Sequence, residues 1–319
     1  MQNTKKIGII GQPCIDEIVS PTGEITSQAL GGIFYSYAAL ERAAKESNTN
    51  VEFFPLTLSS IPDEELILPF YSVLNNFKNL SKLFRTDSLT NRVRLVYTDE
   101  IHRTEHCPNI LPAMTSEELS WIDLASLDGI FINMISGFDI SLDTLKWIRE
   151  QTKAYIHLDV HALVLGGLSN NENSPRRIKG VENWREWVSH VDSIQMNELE
   201  SDWFGSPDTI SEKQLLTEIR KLSDNGGYPK TAIITRGERG ATSFDFMHEK
   251  IWNKEPSKKQ IINTTGSGDV FGALYTLTKT LGTSEQEALW HAEAWAGWNA
   301  ELRSLEEILI APLSKEIIS

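Results

Sequence analysis

The stretch Asn263-Thr264-Thr265-Gly266-Ser267-Gly268-Asp269-Val270-Phe271 organises the reading of this chain. Two glycines bracket a serine and an aspartate follows at once. Val270, Leu274, Leu277 and Leu281 then recur at helical spacing, which predicts a helix with one buried stripe. A glycine-rich turn therefore runs straight into a helix N-terminus. There the first backbone N–H groups lack intrahelical partners and the helix dipole presents its positive end, which suits an anion. Glycine also permits close backbone approach and positive φ. Asp269 falls in the first helical turn, beside that anion site. A carboxylate there cannot hold a phosphate; its use is to take a proton from an attacking hydroxyl. Taken alone, a G-x-G-D turn is also compatible with a plain N-capped helix after a flexible loop.

Outward from this turn, strands and helices alternate. Lys6-Ile7-Gly8-Ile9-Ile10-Gly11 reads as a short buried strand. Residues 14–19 and 24–30 read as extended, with Pro21-Thr22-Gly23 as the turn between them. Gly31-Gly32 opens a helix through Ile33, Tyr37, Leu40 and Ala44, and residues 51–58 return to strand material. Residues 63–77 carry helical periodicity through Leu66, Phe70, Val73 and Phe77. Asn91–Tyr97 alternates polar and apolar, as a half-exposed strand does, and residues 98–106 are strongly polar. Together with residues 15–30 this region is expected to form a small sheet standing off the main body. Further on, strands at Gly129–Asn133, 154–159, 192–196 and Thr231–Thr235 alternate with helices starting near Ser141, Asn183 and Ser211. Residues 166–180 form a polar loop, and Ser284 with Glu287 makes a capping box for the helix through Ala288, Ala292, Trp295 and Asn299. Such alternation predicts a mostly parallel sheet covered on both faces, with ligands at the carboxyl ends of its strands. Asn133, Asp159, Asn197, Glu200, Arg236, Gly237 and the opening stretch all fall at such ends.

Composition narrows the partners. The 319 residues are 40% hydrophobic and 23% charged, ordinary for a soluble chain with a substantial core. A net charge of −14 argues against a nucleic-acid or anionic-membrane surface, while backbone amides still permit a phosphate ligand. Cys14 and Cys107 alone do not suggest a disulfide framework, and no leader or membrane-length apolar run is found, so a reduced, cytoplasmic setting is expected. The seven histidines show no metal-ligand spacing.

At this point four stretches resemble a known family, the ribokinase-like sugar kinases often called PfkB carbohydrate kinases. Gly31-Gly32 before a helix resembles its double-glycine signature. Asn197-Glu198-Leu199-Glu200 resembles its N-x-x-E motif. Thr235-Arg236-Gly237-Glu238-Arg239-Gly240 resembles its T-x-G-x-x-G nucleotide segment. Thr264-Thr265-Gly266-Ser267-Gly268-Asp269 resembles D-T-x-G-A-G-D, the most specific of the four. The resemblance spans nearly the whole chain. It implies one α/β kinase domain over residues 1–319, a three-layer sandwich with a mostly parallel central sheet and a small β lid from segments near 15–30 and 90–106. It implies transfer of the γ-phosphoryl of ATP to a hydroxyl of a small sugar, polyol or nucleoside. Asp269 would be the base and the amides of Gly266, Ser267 and Gly268 the anion hole, as phosphoryl transfer needs. Asn197 and Glu200 would act around Mg²⁺ through water, Thr235, Gly237, Gly240 and Thr265 would line the nucleotide, and Asp16, Gly31, Gly32 and Ser36 would face the acceptor. It also admits a homodimer through the lid.

Departures from the pattern are specific. The leading Asp of the signature is Asn263, so dependence on K⁺ is left open. The alanine between the two glycines is Ser267, and the asparagine that usually follows the double glycine is Ser36. Phe34, Tyr35 and Tyr37 make the region after Gly32 bulky, which suggests a cyclic polyol or unusual sugar. Asn197 and Glu200 also fit a helix cap, three residues apart. Arg103 is either a phosphate or sugar contact or part of a solvated face. The rival function is a catalytically weak relative that binds a sugar or nucleotide in a regulatory role.

Overall fold

The computed structural model describes residues 4–20, 22–47, 49–97, 103–166, 176–205, 210–224, 227–256, 260–314 and 317. In chain order the strands are β1 (Lys5–Ile10), β2 (Pro13–Val19), β3 (Ile25–Gly32), β4 (Val51–Leu56), β5 (Leu58–Ser60), β6 (Phe84–Thr86) and β7 (Asn91–Tyr97). The remaining strands are β8 (Arg103–Asn109), β9 (Gly129–Asn133), β10 (Tyr155–Asp159), β11 (Ser193–Asn197), β12 (Thr231–Thr235), β13 (Ala241–Asp245) and β14 (Lys250–Lys254). The first five helices are α1 (Ile33–Ser47), α2 (Glu64–Tyr71), α3 (Ser116–Leu119), α4 (Leu142–Gln151) and α5 (Trp184–Val188). They are followed by α6 (Glu198–Phe204), α7 (Glu212–Asp224), α8 (Ser267–Thr280), α9 (Glu285–Asn299) and α10 (Leu305–Ile310).

Eight strands form the main sheet in the order β14-β13-β12-β11-β10-β9-β1-β4. It is parallel from β4 to β12, and the β13–β14 hairpin adds two antiparallel strands at one edge. The alternation of side chains on each strand feeds two separate cores, one per face. Ile130, Ile132, Ile156, Leu158, Ile194 and Met196 pack towards α4, α5, α6 and α7. Ile7, Ile9, Phe131 and Ile233 pack towards α1, α8 and α9. A second sheet, β3-β2-β7-β8, is built from the segments expected to stand off the body, with β2 and β7 parallel in its centre.

Two expectations change. Helix α8 is buried almost all round rather than along one stripe, because it lies between the sheet, α1 and α9. Its Leu281, expected in the stripe, sits at the C-cap and is 40% exposed. The helix expected over 63–77 stops at Tyr71, and Pro69 inside it removes a backbone donor near that end. The capping box of Ser284 and Glu287 forms as expected, each side chain bonding the other's backbone. Most of the 166–180 loop lies outside the described residues. No helix among them is long and apolar enough to cross a membrane.

Candidate active site

The opening turn is held by side chains of its own neighbours. Gly266 is the N-cap of α8 at φ 76°, and a Cβ there would lie 2.2 Å from the Tyr35 ring. This position therefore needs glycine for both its backbone and its space. Asn263 Oδ1 accepts from the Thr265 amide at 3.0 Å, the acceptor role that the family's aspartate would also fill. Asn299 donates to the Thr265 carbonyl at 3.0 Å and to Ser267 Oγ at 3.1 Å, so it fastens the turn from α9. One anion-hole expectation is corrected: the Ser267 amide closes the turn on the Thr264 carbonyl at 3.2 Å. Gly268 follows in the first turn of α8, where backbone donors lack intrahelical partners.

Asp269 is 8% exposed, and its Oδ1 accepts from Asn133 Nδ2 at 2.7 Å. Burial pushes its carboxyl up, against the opposing pull of His161 and the Asn133 hydrogen bond. A carboxylate with a raised pKa binds a proton more tightly, while the helix N-terminus beside it supports its ionised form. Asp159 ends β10 in register with Asn133, and burial followed by repulsion from Glu200 raises it well above the usual carboxylate range. Burial also raises Glu200, to about 7, with His161 opposing and Asp269 adding to the rise. His161 Nδ1 lies 4.0 Å from Glu200 Oε1, and its backbone holds φ 35°, in the left-handed region where a non-glycine residue is strained.

Asn197 and Glu200 form a complete capping box on α6. Glu200 accepts from the Asn197 amide and carboxamide at 2.7 Å each, and Asn197 Oδ1 accepts from the Glu200 amide at 2.8 Å. The Asn197 oxygen is thus engaged, so direct ligation of a metal by Asn197 is disfavoured and contact through water fits better. Among the described residues no group of three or more His, Cys, Asp or Glu is arranged to hold a metal ion alone.

These groups line a cavity of about 800 Å³. At one end are Asp159, His161, Gln195, Asn197, Glu200 and the turn from Gly266 to Asp269. Towards the other are Ala241, Pro256, Ile261, Ala296, Gly297 and Ala300, together with Thr235, Gly237 and Gly240. Six carboxylates line it, from Asp159, Glu200, Glu238, Asp269, Glu293 and Glu301. His161 is its sole potentially cationic side chain among the described residues. Thr264 also lines it; Thr265, expected to do so, turns its backbone into the Asn263 and Asn299 bonds. Gly240 is required by packing, since a Cβ would meet the Lys254 carbonyl at 1.9 Å, whereas Gly237 at φ 54° faces open space. Arg236 binds Glu212 and Glu198 at 2.7–2.9 Å.

The expected acceptor residues Asp16, Gly31, Gly32 and Ser36 do not line that cavity. Asp16 covers Gly31 so closely that a Cβ there would lie 2.2 Å from Asp16 Oδ2, and Gly32 at φ 57° faces Ile135. Burial raises the Tyr35 hydroxyl, and the charges of Asp16 and Asp269 add to that. Ser36 does not face a ligand. It is fully buried, and its hydroxyl donates to the Asp269 carbonyl at 3.1 Å, because α1 turns this face onto α8. Phe34 and Tyr37 likewise point into the core, against Phe70, Tyr71 and Phe77, so they do not crowd the acceptor space. Trp295 and Trp298 pack edge to face in the core, while Trp290 is exposed. The Arg103 side chain lies outside what the structure describes. In the sequence, Asn133 and Asp159 show only as strand ends, Tyr35 only as bulk after Gly32, and Gln195 carries no signal.

Residues 172–309 match the model of the pfkB family carbohydrate kinases. A D-tagatose-1-phosphate kinase of Bacillus licheniformis is 28% identical over 120 residues, which cover 37% of this chain and 38% of that protein's length. A pyrophosphate-dependent kinase in the ribokinase family, solved with a pyrophosphate analog and myo-inositol, superposes with a TM-score of 0.71 at 16% identity over 98% of both chains. Arabidopsis thaliana ribokinase, solved with ribose and ATP, superposes at 0.65 with 15% identity, over 97% of this chain and 100% of that one. The chain therefore has the ribokinase-like fold, and its residues 172–309 resemble the pfkB family of carbohydrate kinases.

Proposed function

We propose that this chain transfers the γ-phosphoryl group of ATP to a hydroxyl of a small sugar, polyol or nucleoside. The observation that carries this is the meeting of a buried, hydrogen-bonded Asp269 with the glycine-capped N-terminus of α8 at one end of a large cavity. Asp269 takes the proton of the acceptor hydroxyl as its oxygen attacks phosphorus. Asn133 fixes the carboxylate that receives it. The Gly268 amide and the dipole of α8 stabilise charge on the transferring group, where such donors act with little reorganisation. Asp16 and the backbone at Gly31 and Gly32 contact the part of the acceptor that points away from Asp269, beneath the four-stranded sheet as a lid.

Some structural relatives use pyrophosphate, so the donor needs its own argument. The cavity runs on from the turn to an apolar slot of Pro256, Ile261, Ala296 and Ala300, which suits a purine and which pyrophosphate would leave empty. The donor set also fits Mg²⁺: Glu200, raised by burial and a neighbouring carboxylate, is the kind of group a divalent cation relieves, with Asn197 beside it through water. Bound there, Mg²⁺ would offset the charge of the donor phosphates in a cavity otherwise rich in carboxylates. The test is purified protein with ATP or pyrophosphate, Mg²⁺ and a panel of sugars, polyols and nucleosides, reading ADP or phosphate release. ATP-dependent turnover is expected. Tight ligand binding without transfer to any acceptor would instead favour a regulatory relative.

A further inference from the structure

A row of polar side chains runs under α8, where a parallel sheet normally carries apolar residues. Tyr155, His157 and Asp159 alternate along β10 and so share one face; Ser193 and Gln195 do the same on β11. His157 pairs in register with Ser193, and Asp159 with Gln195. The Tyr155 hydroxyl lies 2.8 Å from Ser193 Oγ, which lies 2.7 Å from His157 Nδ1. His157 Nε2 lies 3.2 Å from Gln195 Oε1. The Gln195 amide nitrogen then reaches both Asp159 Oδ2 and the Gly268 carbonyl, each at 3.1 Å.

The far end settles which way the hydrogens point. Both partners of the Gln195 nitrogen are acceptors, so that atom must be the NH₂ and its oxygen must face His157. His157 therefore donates from Nε2 and accepts at Nδ1 from Ser193, whose own oxygen accepts from Tyr155. Every donor in the column points towards Asp159 and α8. Burial holds the imidazole neutral, with its pKa pushed down to about 3, so this polarity does not reverse on titration in the neutral range.

Resting on the phosphoryl-transfer reading above, we propose that Gln195 is a positioning residue for the reaction. Locked by the His157–Ser193–Tyr155 column, it ties the Gly268 carbonyl in the first turn of α8 to Asp159 at the end of β10. It thereby fixes where the Gly268 amide and Asp269 stand relative to the strand ends. Helix α8 is fitted closely at this point: a Cβ at Gly272, one turn further on, would meet the Phe131 ring at 2.7 Å and Gln195 Oε1 at 3.0 Å. The glycine lets the helix approach, and the carboxamide sets its register.

The test is Gln195→Met in the full chain, near in volume but unable to bridge. A misplacement of about 1 Å costs about 100-fold in rate, so kcat should fall by that order while calorimetric affinity for Mg-ATP stays within about threefold. Independently of any substrate, hydrogen exchange at the amides of residues 268–270 should speed by about tenfold relative to those of β9, a local opening rather than a global one. Ser193→Ala, one link further away, should shift exchange in the same direction by less, and it serves if Gln195→Met does not fold. Exchange at 268–270 that merely tracks β9, or kcat within about threefold of the parent, overturns the proposal. So does a loss of ATP affinity as large as the loss of kcat, since Gln195 would then be touching the ligand. If the unaltered protein phosphorylates no acceptor, the kinase reading fails while the exchange arm still decides the fate of Gln195.

Discussion

Asp269→Asn separates the two consequences of placing a base inside the fold. The substitution keeps the shape of the side chain and leaves an oxygen for Asn133 Nδ2, 2.7 Å away. It removes the proton acceptor. Loss of a positioned general base costs about 10²–10⁴ in rate, or about 3–5 kcal/mol in the barrier. Stability should move the other way. Burial raises the Asp269 carboxyl, so the folded state holds its proton to higher pH than the unfolded chain does. Ionised Asp269 therefore weakens the fold above its folded pKa, and the deficit disappears as pH falls through that value. Asparagine should stabilise the protein at pH 8 by about 0.5–2 kcal/mol, as removal of strained functional groups commonly does. That gain should shrink on acidification. Turnover by ADP release, Mg-ATP affinity by calorimetry and urea unfolding at several pH values read all three effects. A kcat within about tenfold of the parent refutes the base role; a loss of stability at pH 8 refutes the burial argument.

Gly266→Ala tests the turn, since it combines a left-handed backbone with a Cβ 2.2 Å from Tyr35; a cost of about 2–5 kcal/mol in urea unfolding is expected, and adding Tyr35→Ala should recover only the steric share. His157→Phe tests the column through pH: the unfolded chain takes up a proton below about pH 6.5, whereas the folded ring resists to about 3. The stability of the neutral ring is complete above pH 6.5 and drains by about 2 kcal/mol by pH 5. Asp159 and Glu200, raised in the fold, titrate in the opposite sense, so the difference between parent and His157→Phe across pH 5–7.5 is the readout, and equal slopes sink the assignment. Ser36→Asn, which restores the family's usual residue, should destabilise by about 1–3 kcal/mol by overpacking a fully buried site, with Tm as the check. Chelation of divalent cations should abolish turnover while leaving the unfolding midpoint within about 0.5 kcal/mol, because protein hydrogen bonds already satisfy the Glu200 capping box.

The turn before α8 was legible because its chemistry is local: glycines, an aspartate and a helical repeat within a few residues. The parallel sheet was legible from alternation, and α9 from its capping box. What escaped depends on rotation and depth, which a linear pattern does not carry. Ser36, Phe34 and Tyr37 sit in a motif that suggests a ligand, yet the turn of α1 aims all three inward. In β10, the alternation of Tyr155, His157 and Asp159 with Ile156 and Leu158 reads equally as a strand with one wet face. Only the docking of α8 on that face shows it to be dry. Gln195 carried no signal, because its role comes from a partner 73 residues away in sequence.

The same column bears on what the fold gives up to hold its site. Buried polar side chains are no better for stability than apolar ones of equal shape, and replacing a satisfied pair by apolar groups is often neutral or favourable. A sheet face of Tyr155, His157, Ser193 and Gln195 is therefore not explained by stability. Nor is it a route for protons, since a carboxamide at Gln195 interrupts any relay before Asp159 is reached. What a directional chain of hydrogen bonds supplies, and a greasy interface does not, is a single register. An apolar α8–sheet contact could slide by fractions of an ångström at little cost, whereas Gln195 satisfies Asp159 and Gly268 together in one arrangement. Phosphoryl transfer, the function proposed above, depends mainly on where donors stand relative to the transferring group, so register is the property that such a centre most needs.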